Sequence, residues 1–356
     1  MKLRPLTVSM AVLALLTLFA KSRIDSPKNA PNKDSAVVSG ERRTPVDFCR
    51  DPGNTFLTLP EWYLVYSPRE YAHFIDGHSP SQFPYWRHLG QFWQGYHAVY
   101  QAANDERPFN FEYHLMIWVI GTSTTFEYGL KSTYETVVGR AAEATVGSDQ
   151  TAEERLAIDV AHQYEKSLDA EPWYNFDFVA PLKRLWQDTA WWGDHPLRKW
   201  ERRYFLTSEY LAKATYAWGL KQSTENSFGV ESSVTVVVLN RTPSVPMAAI
   251  KILETFTDGA VLAQLPRYQS FTPVAATLAK VGVDFLEIAG NAGPILVTAI
   301  VPESYQPIGI ETLFEQPITT QPTFKRIAFV VKVRELNETL RHMENPQLRL
   351  EHIYDY

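Results

Sequence analysis

Between residues 55 and 222 the apolar side chains recur at three- and four-residue steps. Leu89, Phe92, Trp93, Tyr96, Val99 and Tyr100 show the period of a helix with one buried face. Ser67-Pro68-Arg69-Glu70 reads as a helix start, with a capping serine, proline at the first helical position and glutamate three after the cap. Thr151-Ala152-Glu153-Glu154 repeats that logic before Leu156, Ile158 and Val160. A longer helix is expected from Phe111 to Ala144, with Gly121, the Thr122 to Thr125 run and Gly129 as the points where it would break most easily. Further helices are expected at 177–190 and at 196–220, the latter opening with Asp194-His195-Pro196.

After Ser232 the period shortens. Ser233 to Leu239 is a β-type run, followed by candidates at 249–256, 260–266, 284–289, 295–301 and 327–333. Helices are expected at 272–281 and 335–344, with a last strand at 348–354 and a hairpin turn at Gly290-Asn291. The β-α-β-β order within this stretch predicts a ferredoxin-like α/β sandwich with extra strands. The chain is therefore expected to be α+β, with a Trp/Tyr-rich helical domain at 55–222 and the ferredoxin-like domain at 230–356. The tryptophans agree with this division, since all 10 fall between Trp62 and Trp218. No internal repeat stands out from the periodicity.

Ahead of both domains, Lys2 and Arg4 precede an uncharged run from Pro5 to Ala20, and Lys21 and Arg23 follow it. This has the form of a secretory signal or signal anchor at 1–20. Residues 21–54, rich in Ser, Pro, Asn, Asp and Lys, read as a flexible tether. The expectation is a body held outside the cytoplasm, in the periplasm, with the membrane as a partner through the N-terminal apolar segment. A net charge of −6 argues against nucleic acid as a partner. Arg198-Lys199-Arg202-Arg203 is read as a solvated helix face. Cys49 is the single cysteine, which excludes an internal disulfide and a cysteine-based zinc site.

Candidate chemistry concentrates in the helical half. Glu127 lies seven residues from Ile120 and from Tyr134, on an otherwise apolar stripe, with Glu112, His114 and Glu135 near it in sequence. A carboxylate on such a stripe needs a partner, for which Arg69, Arg87, Arg140 and Arg202 are candidates. Glu112, His114 and Glu127 are the candidate catalytic groups, and buried Arg–Glu pairs between helices are the favoured alternative. Glu70-x-x-His73 and Asp159-x-x-His162 match the carboxylate–histidine spacing of di-iron bundles, with Glu127 and either Glu61 or Glu112 as the further carboxylates. The second pair departs from that pattern in opening with Asp, and no cofactor is expected beyond this metal possibility. Trp173, Trp191, Trp192 and Arg202 are candidates for an aromatic ligand groove. No nucleophile elbow or phosphate loop is present, and Ala289-Gly290-Asn291-Ala292-Gly293 lacks the Lys-Ser/Thr of a P-loop. The leading expectation is therefore a binding or scaffolding protein for a small molecule or a protein partner. A metal-dependent oxidoreductase or hydrolase with a carboxylate/His site is the alternative.

Overall fold

A computed structural model describes residues 42–104, 111–146, 149–169, 171–224, 233–244, 248–307, 312–343 and 348–356. The described residues form two compact units, one of helices (61–92 and 111–224) and one containing the strands (42–60, 93–104 and 233–356). The α+β class is as expected.

The principal helices of the first half are α1 (Leu59–Ile75), α2 (Tyr85–Asn104), α3 (Phe111–Tyr134), α4 (Ala152–Ser167), α5 (Val179–Gln187) and α6 (Pro196–Thr224). Helix α4 opens with the expected capping box, Thr151 and Glu154 each bonding the other's backbone N–H. Ser67-Pro68, in contrast, falls inside α1 and starts nothing. The Ser67 side chain is buried and bonded to the Tyr128 hydroxyl at 2.6 Å, so it serves packing between helices rather than a cap. Helix α3 does not break at its glycines. The Thr122, Thr125 and Thr133 hydroxyls bond back to carbonyls of the preceding turn, and the helix continues through a π turn, Glu135–Gly139, into Arg140–Glu143.

The helical unit is built twice from one motif. Tyr71, Asp76, Phe83, Leu89, Trp93 and Gln94 have identical residues 93 positions later, at Tyr164, Asp169, Phe176, Leu182, Trp186 and Gln187. The 3-10 turns Pro80–Gln82 and Trp173–Asn175 are related by that same offset. At an offset of 82, Thr-x-Glu-Tyr-x-x-Lys-x-Thr-Tyr occurs at 125–134 and again at 207–216, preceded by the pairs Leu115/Leu197 and Trp118/Trp200. The two offsets differ by 11 residues, the difference in length between α2 with 20 and α5 with 9. So α1–α2–α3 corresponds to α4–α5–α6. Side-chain geometry repeats with it: Phe83–Tyr85 ring centroids are 4.9 Å apart at 66°, and Phe176–Phe178 centroids 4.9 Å apart at 64°. Contacts between the copies are reciprocal. Arg69 pairs with Asp169 at 2.5 Å, and their equivalents His162 and Asp76 pair back at 2.7 Å. Reciprocity of this kind is the mark of a two-fold relation.

The strands also form two copies, joined by register rather than by sequence. Strands β1 (Val234–Leu239), β2 (Lys251–Thr255), β3 (Val261–Pro266) and β4 (Phe285–Ile288) make one antiparallel sheet in the order β2-β3-β1-β4. Strands β5 (Pro294–Pro302), β6 (Thr312–Pro317), β7 (Phe324–Lys332) and β8 (Arg349–Tyr354) make a second in the order β6-β7-β5-β8. Helices α7 (Phe271–Lys280) and α8 (Leu336–His342) occupy the same place in each copy, before its last strand. The irregularities correspond as well: Val238/Leu239 in β1 matches Thr298/Ala299 in β5, and Ile252/Glu254 in β2 matches Thr312/Phe314 in β6. One core of Val, Ile, Leu, Ala and Phe side chains unites both sheets and both helices. The expected turn forms, Ile288 and Asn291 exchanging backbone hydrogen bonds at 2.9 Å around Ala289 and Gly290, both with positive φ. The strands it joins, β4 and β5, belong to different sheets and do not pair as a hairpin.

The described end of the expected tether is pinned to this unit. The Thr44 N–H and hydroxyl bond to Glu287 on β4 at 3.0 and 2.7 Å, and Thr55 donates to the Tyr354 carbonyl on β8 at 2.6 Å. The Thr55 hydroxyl also accepts from the Leu296 N–H on β5, so it bridges the end of the β5–β8 pair.

Two further expectations change. Arg198, Lys199, Arg202 and Arg203 are not a solvated face; the arginines are at most 2% exposed. They meet Glu135, Glu153, Glu154 and Glu201 in a buried, charge-balanced network whose clearest member is the bidentate Arg202–Glu135 pair at 2.9 Å. A membrane partner through the N-terminal apolar segment is also overturned. Among the described residues no helix is long and apolar enough to cross a bilayer. The segment itself lies outside the described residues.

Gly290 has φ +75°, and a Cβ there would overlap Cys49 Sγ. Gly290→Ala is expected to cost about 1–3 kcal/mol in chemical denaturation, with Cys49→Ala in the same background recovering part of it. The hydrogen bond that His162 Nε2–H donates to the Asp76 carboxylate raises the His162 pKa above its ordinary 6.5, and Glu165 adds to the effect. A raised folded-state pKa gives stabilisation that is complete below the unfolded value and lost as pH rises through the folded one. Thermal melting from about pH 6 to about pH 9 should therefore show wild type falling relative to His162→Arg, in which the pair matches Arg69–Asp169 and does not titrate.

Candidate functional site: an aromatic cavity over a buried ion quartet

A cavity of about 360 Å³ opens within the helical unit, in the size range of small-molecule sites. Its wall carries eight tyrosines (Tyr63, Tyr71, Tyr85, Tyr128, Tyr164, Tyr174, Tyr210 and Tyr216), with Trp173, Phe178 and aliphatic side chains such as Leu64, Val119 and Ile120. The two copies contribute matched residues: Tyr71 and Tyr164, Tyr85 and Phe178, Tyr128 and Tyr210, Glu127 and Glu209, Lys131 and Lys213 all line it. Burial raises the phenol pKa values of Tyr71, Tyr85, Tyr128, Tyr164, Tyr210 and Tyr216, that of Tyr128 to about 12, so these hydroxyls stay protonated at neutral pH.

The charged part of the wall is a quartet from α3 and α6. Each helix carries Glu and Lys four residues apart on one face. Lys131 meets Glu209 at 3.0 Å, Lys213 meets Glu209 at 3.0 Å, and Lys213 meets Glu127 at 3.4 Å. Burial alone would neutralise these groups, but their partners outweigh it. Both lysine pKa values are raised, chiefly by Glu209, and that of Glu209 is held well below the usual carboxylate range by Lys131 and Lys213. Each ammonium also sits over an equivalent ring, Lys131 at 4.2 Å from the Tyr71 centroid and Lys213 at 5.4 Å from that of Tyr164.

A polar line in the first copy reaches the cavity wall through Ser67. Tyr128 Oη and Ser67 Oγ are 2.6 Å apart, Ser67 Oγ and His88 Nδ1 3.3 Å, and His88 Nε2 and Glu70 Oε2 3.3 Å. The second copy holds Val160, Gln163 and Pro181 in place of Ser67, Glu70 and His88.

Of the residues singled out by sequence, Glu127 and Trp173 line this cavity, Trp173 stacking on Tyr216 at 5.2 Å. Trp191 and Trp192 are exposed and pack against Trp200, away from the lining residues, while Arg202 is locked in the buried network with Glu135. None of the arginines expected to partner Glu127 does so; Lys213 takes that place. His114 is buried on α3, which pushes its imidazole pKa down, and it does not line the cavity. The Glu112 side chain lies outside the described residues. The two carboxylate–histidine pairs separate: Glu70 faces His88, Asp159 pairs with Arg184 at 2.7 Å, and Glu61 accepts from Tyr113 at 2.7 Å. Only the histidines converge, His73 and His162 with ring centroids 5.3 Å apart and Asp76 beside them, their potential ligand atoms within 4.8 Å of one another. Lys131, Glu209, Lys213 and the Ser67–His88 line escaped sequence reasoning. The repeated Thr-x-Glu-Tyr-x-x-Lys-x-Thr-Tyr was the signal that could have found the quartet.

No protein-family model matches the chain, and neither the curated proteins nor the solved structures contain a match to it.

Removing Glu209 leaves two largely buried ammonium groups facing each other. Glu209→Gln is expected to lose about 3 kcal/mol or more of unfolding free energy in urea titrations, whereas Glu127→Gln, at the open side of the quartet, should lose less than about 1 kcal/mol.

Proposed function

We propose that this protein binds a small, largely apolar molecule in the cavity of its helical unit. The observation that carries this reading is the cavity itself: aromatic walls from both copies of the motif, with a few polar groups, the quartet, Ser67, Ser123 and Thr124, besides the tyrosine hydroxyls. Such a distribution buries the body of a ligand and fixes its orientation at a few points. The buried ion networks beside it supply rigidity, since Arg198, Arg202, Glu153, Glu201, Glu209 and Lys213 each hold two partners of opposite charge.

A hydrolase is the second reading, favoured by the alignment of Ser67, His88 and Glu70. Acyl transfer also needs donors placed for an oxyanion, and Ser67 sits inside α1, where backbone N–H groups are engaged in the helix. A metal-dependent oxidoreductase draws on His73, Asp76 and His162. There the two-fold relation supplies a simpler account, because His162–Asp76 is the counterpart of the Arg69–Asp169 ion pair.

The test is fluorescence titration with N-phenyl-1-naphthylamine, an uncharged probe that brightens in apolar surroundings. One probe per chain should bind, and Ala161→Trp, which fills the cavity from α4, should abolish the signal while leaving the melting temperature within about 3 °C. Unchanged binding in Ala161→Trp would remove the cavity from consideration. Covalent labelling of Ser67 by a fluorophosphonate would instead favour the hydrolase.

A further inference from the structure

The quartet departs from the two-fold pattern at one carboxylate. Glu209 is saturated, with Lys131 and Lys213 both at 3.0 Å. Its counterpart Glu127 has Lys213 alone at 3.4 Å; among the described residues no other cation lies within 4.0 Å of it. Strict symmetry would add Lys131 to Glu127, in the way that Lys213 serves Glu209 four residues before it, and that pair is not made. Glu127 is also the most accessible of the four, with 47% of its side chain exposed against 15% for Glu209 and 9% for Lys131. The open side of the quartet is thus an acceptor with room for one more cation.

We infer that the cavity takes a primary amine with an apolar body of aromatic size, its ammonium group on Glu127. This rests on the cavity being a ligand site, as proposed above. The walls suit such a molecule, since tyrosine and tryptophan faces attract an organic cation as well as bury its body. Lys131 and Lys213 show that the site already accepts ammonium groups over tyrosine rings. An anion is disfavoured by the same geometry. To reach a lysine, it would have to displace Glu127 from Lys213 or Glu209 from both lysines, leaving a carboxylate without its partner in a largely apolar setting.

The experiment is calorimetric titration of the full chain at about pH 7 with three probes of one shape: 2-phenylethylamine, 2-phenylethanol and 3-phenylpropionate. The amine should bind at least about tenfold more tightly than the alcohol, with no measurable heat from the carboxylate. Glu127→Gln should erase the preference for the amine over the alcohol, and Glu127→Asp should keep part of it. Equal affinity for amine and alcohol, tighter binding of the carboxylate, or an unchanged preference in Glu127→Gln would each overturn the inference. The wild-type series decides the matter even if a variant fails to fold. If N-phenyl-1-naphthylamine binds and the amine does not, this inference fails and the cavity reading stands. If neither binds, the cavity reading has failed first.

Discussion

Lys131, Glu209, Lys213 and Glu127 face one another across α3 and α6, and Lys131 and Glu209 are largely shut off from water, so each of those two must be neutralised within the quartet. That requirement fixes how the two copies of the helical motif can meet. On each helix the glutamate precedes the lysine by four residues, so opposite charges align only if the helices run antiparallel with the two motifs centred on each other. A slip of one turn would set Glu127 against Glu209, at a cost far above what side-chain packing could return. Charge thus specifies the register between the copies, while the aromatic pairs around Tyr71 and Tyr164 fill the space that this register leaves. The cavity is what remains open at the centre.

Against a duplicated framework, departures from equivalence carry information. Residues that both copies keep, such as Tyr71/Tyr164, Phe83/Phe176 and the Glu-Tyr-x-x-Lys pair, answer to packing and charge balance. Ser67 and His88 have no polar counterparts, since the second copy holds Val160 and Pro181, and the carboxylate of Glu70 is replaced by the neutral amide of Gln163. Val160 and Pro181 are adequate for packing, so the polar line in the first copy is not a requirement of the fold. Arg69 and His162 differ in another way. Both hold an aspartate across the interface, but only the histidine makes that hold depend on pH.

Much of the secondary structure was legible because it follows from period alone. The strands at 233–239, 260–266, 284–289, 295–301 and 327–333 and the helices after them sit close to their expected places. Strand β6 was missed, being a half-exposed edge strand that carries Glu315 and ends in Pro317. Arg198, Arg202 and Arg203 were misread because a helical period shows only a helix's own face. Their glutamates lie as far as 67 residues away, and nothing local reveals that those charges are matched. Glu127 was legible as a carboxylate on an apolar stripe, but its lysine partner came from a distant helix. The duplication hid behind its own irregularity: α2 exceeds α5 by about three turns, so no single offset aligns both parts of the motif. In the strand-bearing unit the copies share register and bulges with little residue identity, which only the pairing of strands can disclose.

A cavity at the meeting of two equivalent motifs would, with identical walls, admit an asymmetric ligand in two opposite orientations. Orientation must then come from where the copies differ. Ser67 and Thr124 line the cavity opposite their counterparts Val160 and Leu206, and Ser123 lines it where its counterpart Phe205 does not; in each case the hydroxyl belongs to the first copy. Glu127, the open carboxylate, belongs to the first copy too. Polar groups able to receive a ligand's hydrogen bonds are therefore concentrated on one side, with aliphatic and aromatic groups opposite. That polarity distinguishes a head from a tail, whereas the shared tyrosines do not. Duplication supplies the enclosure, and divergence between its halves supplies the direction in which a ligand can lie.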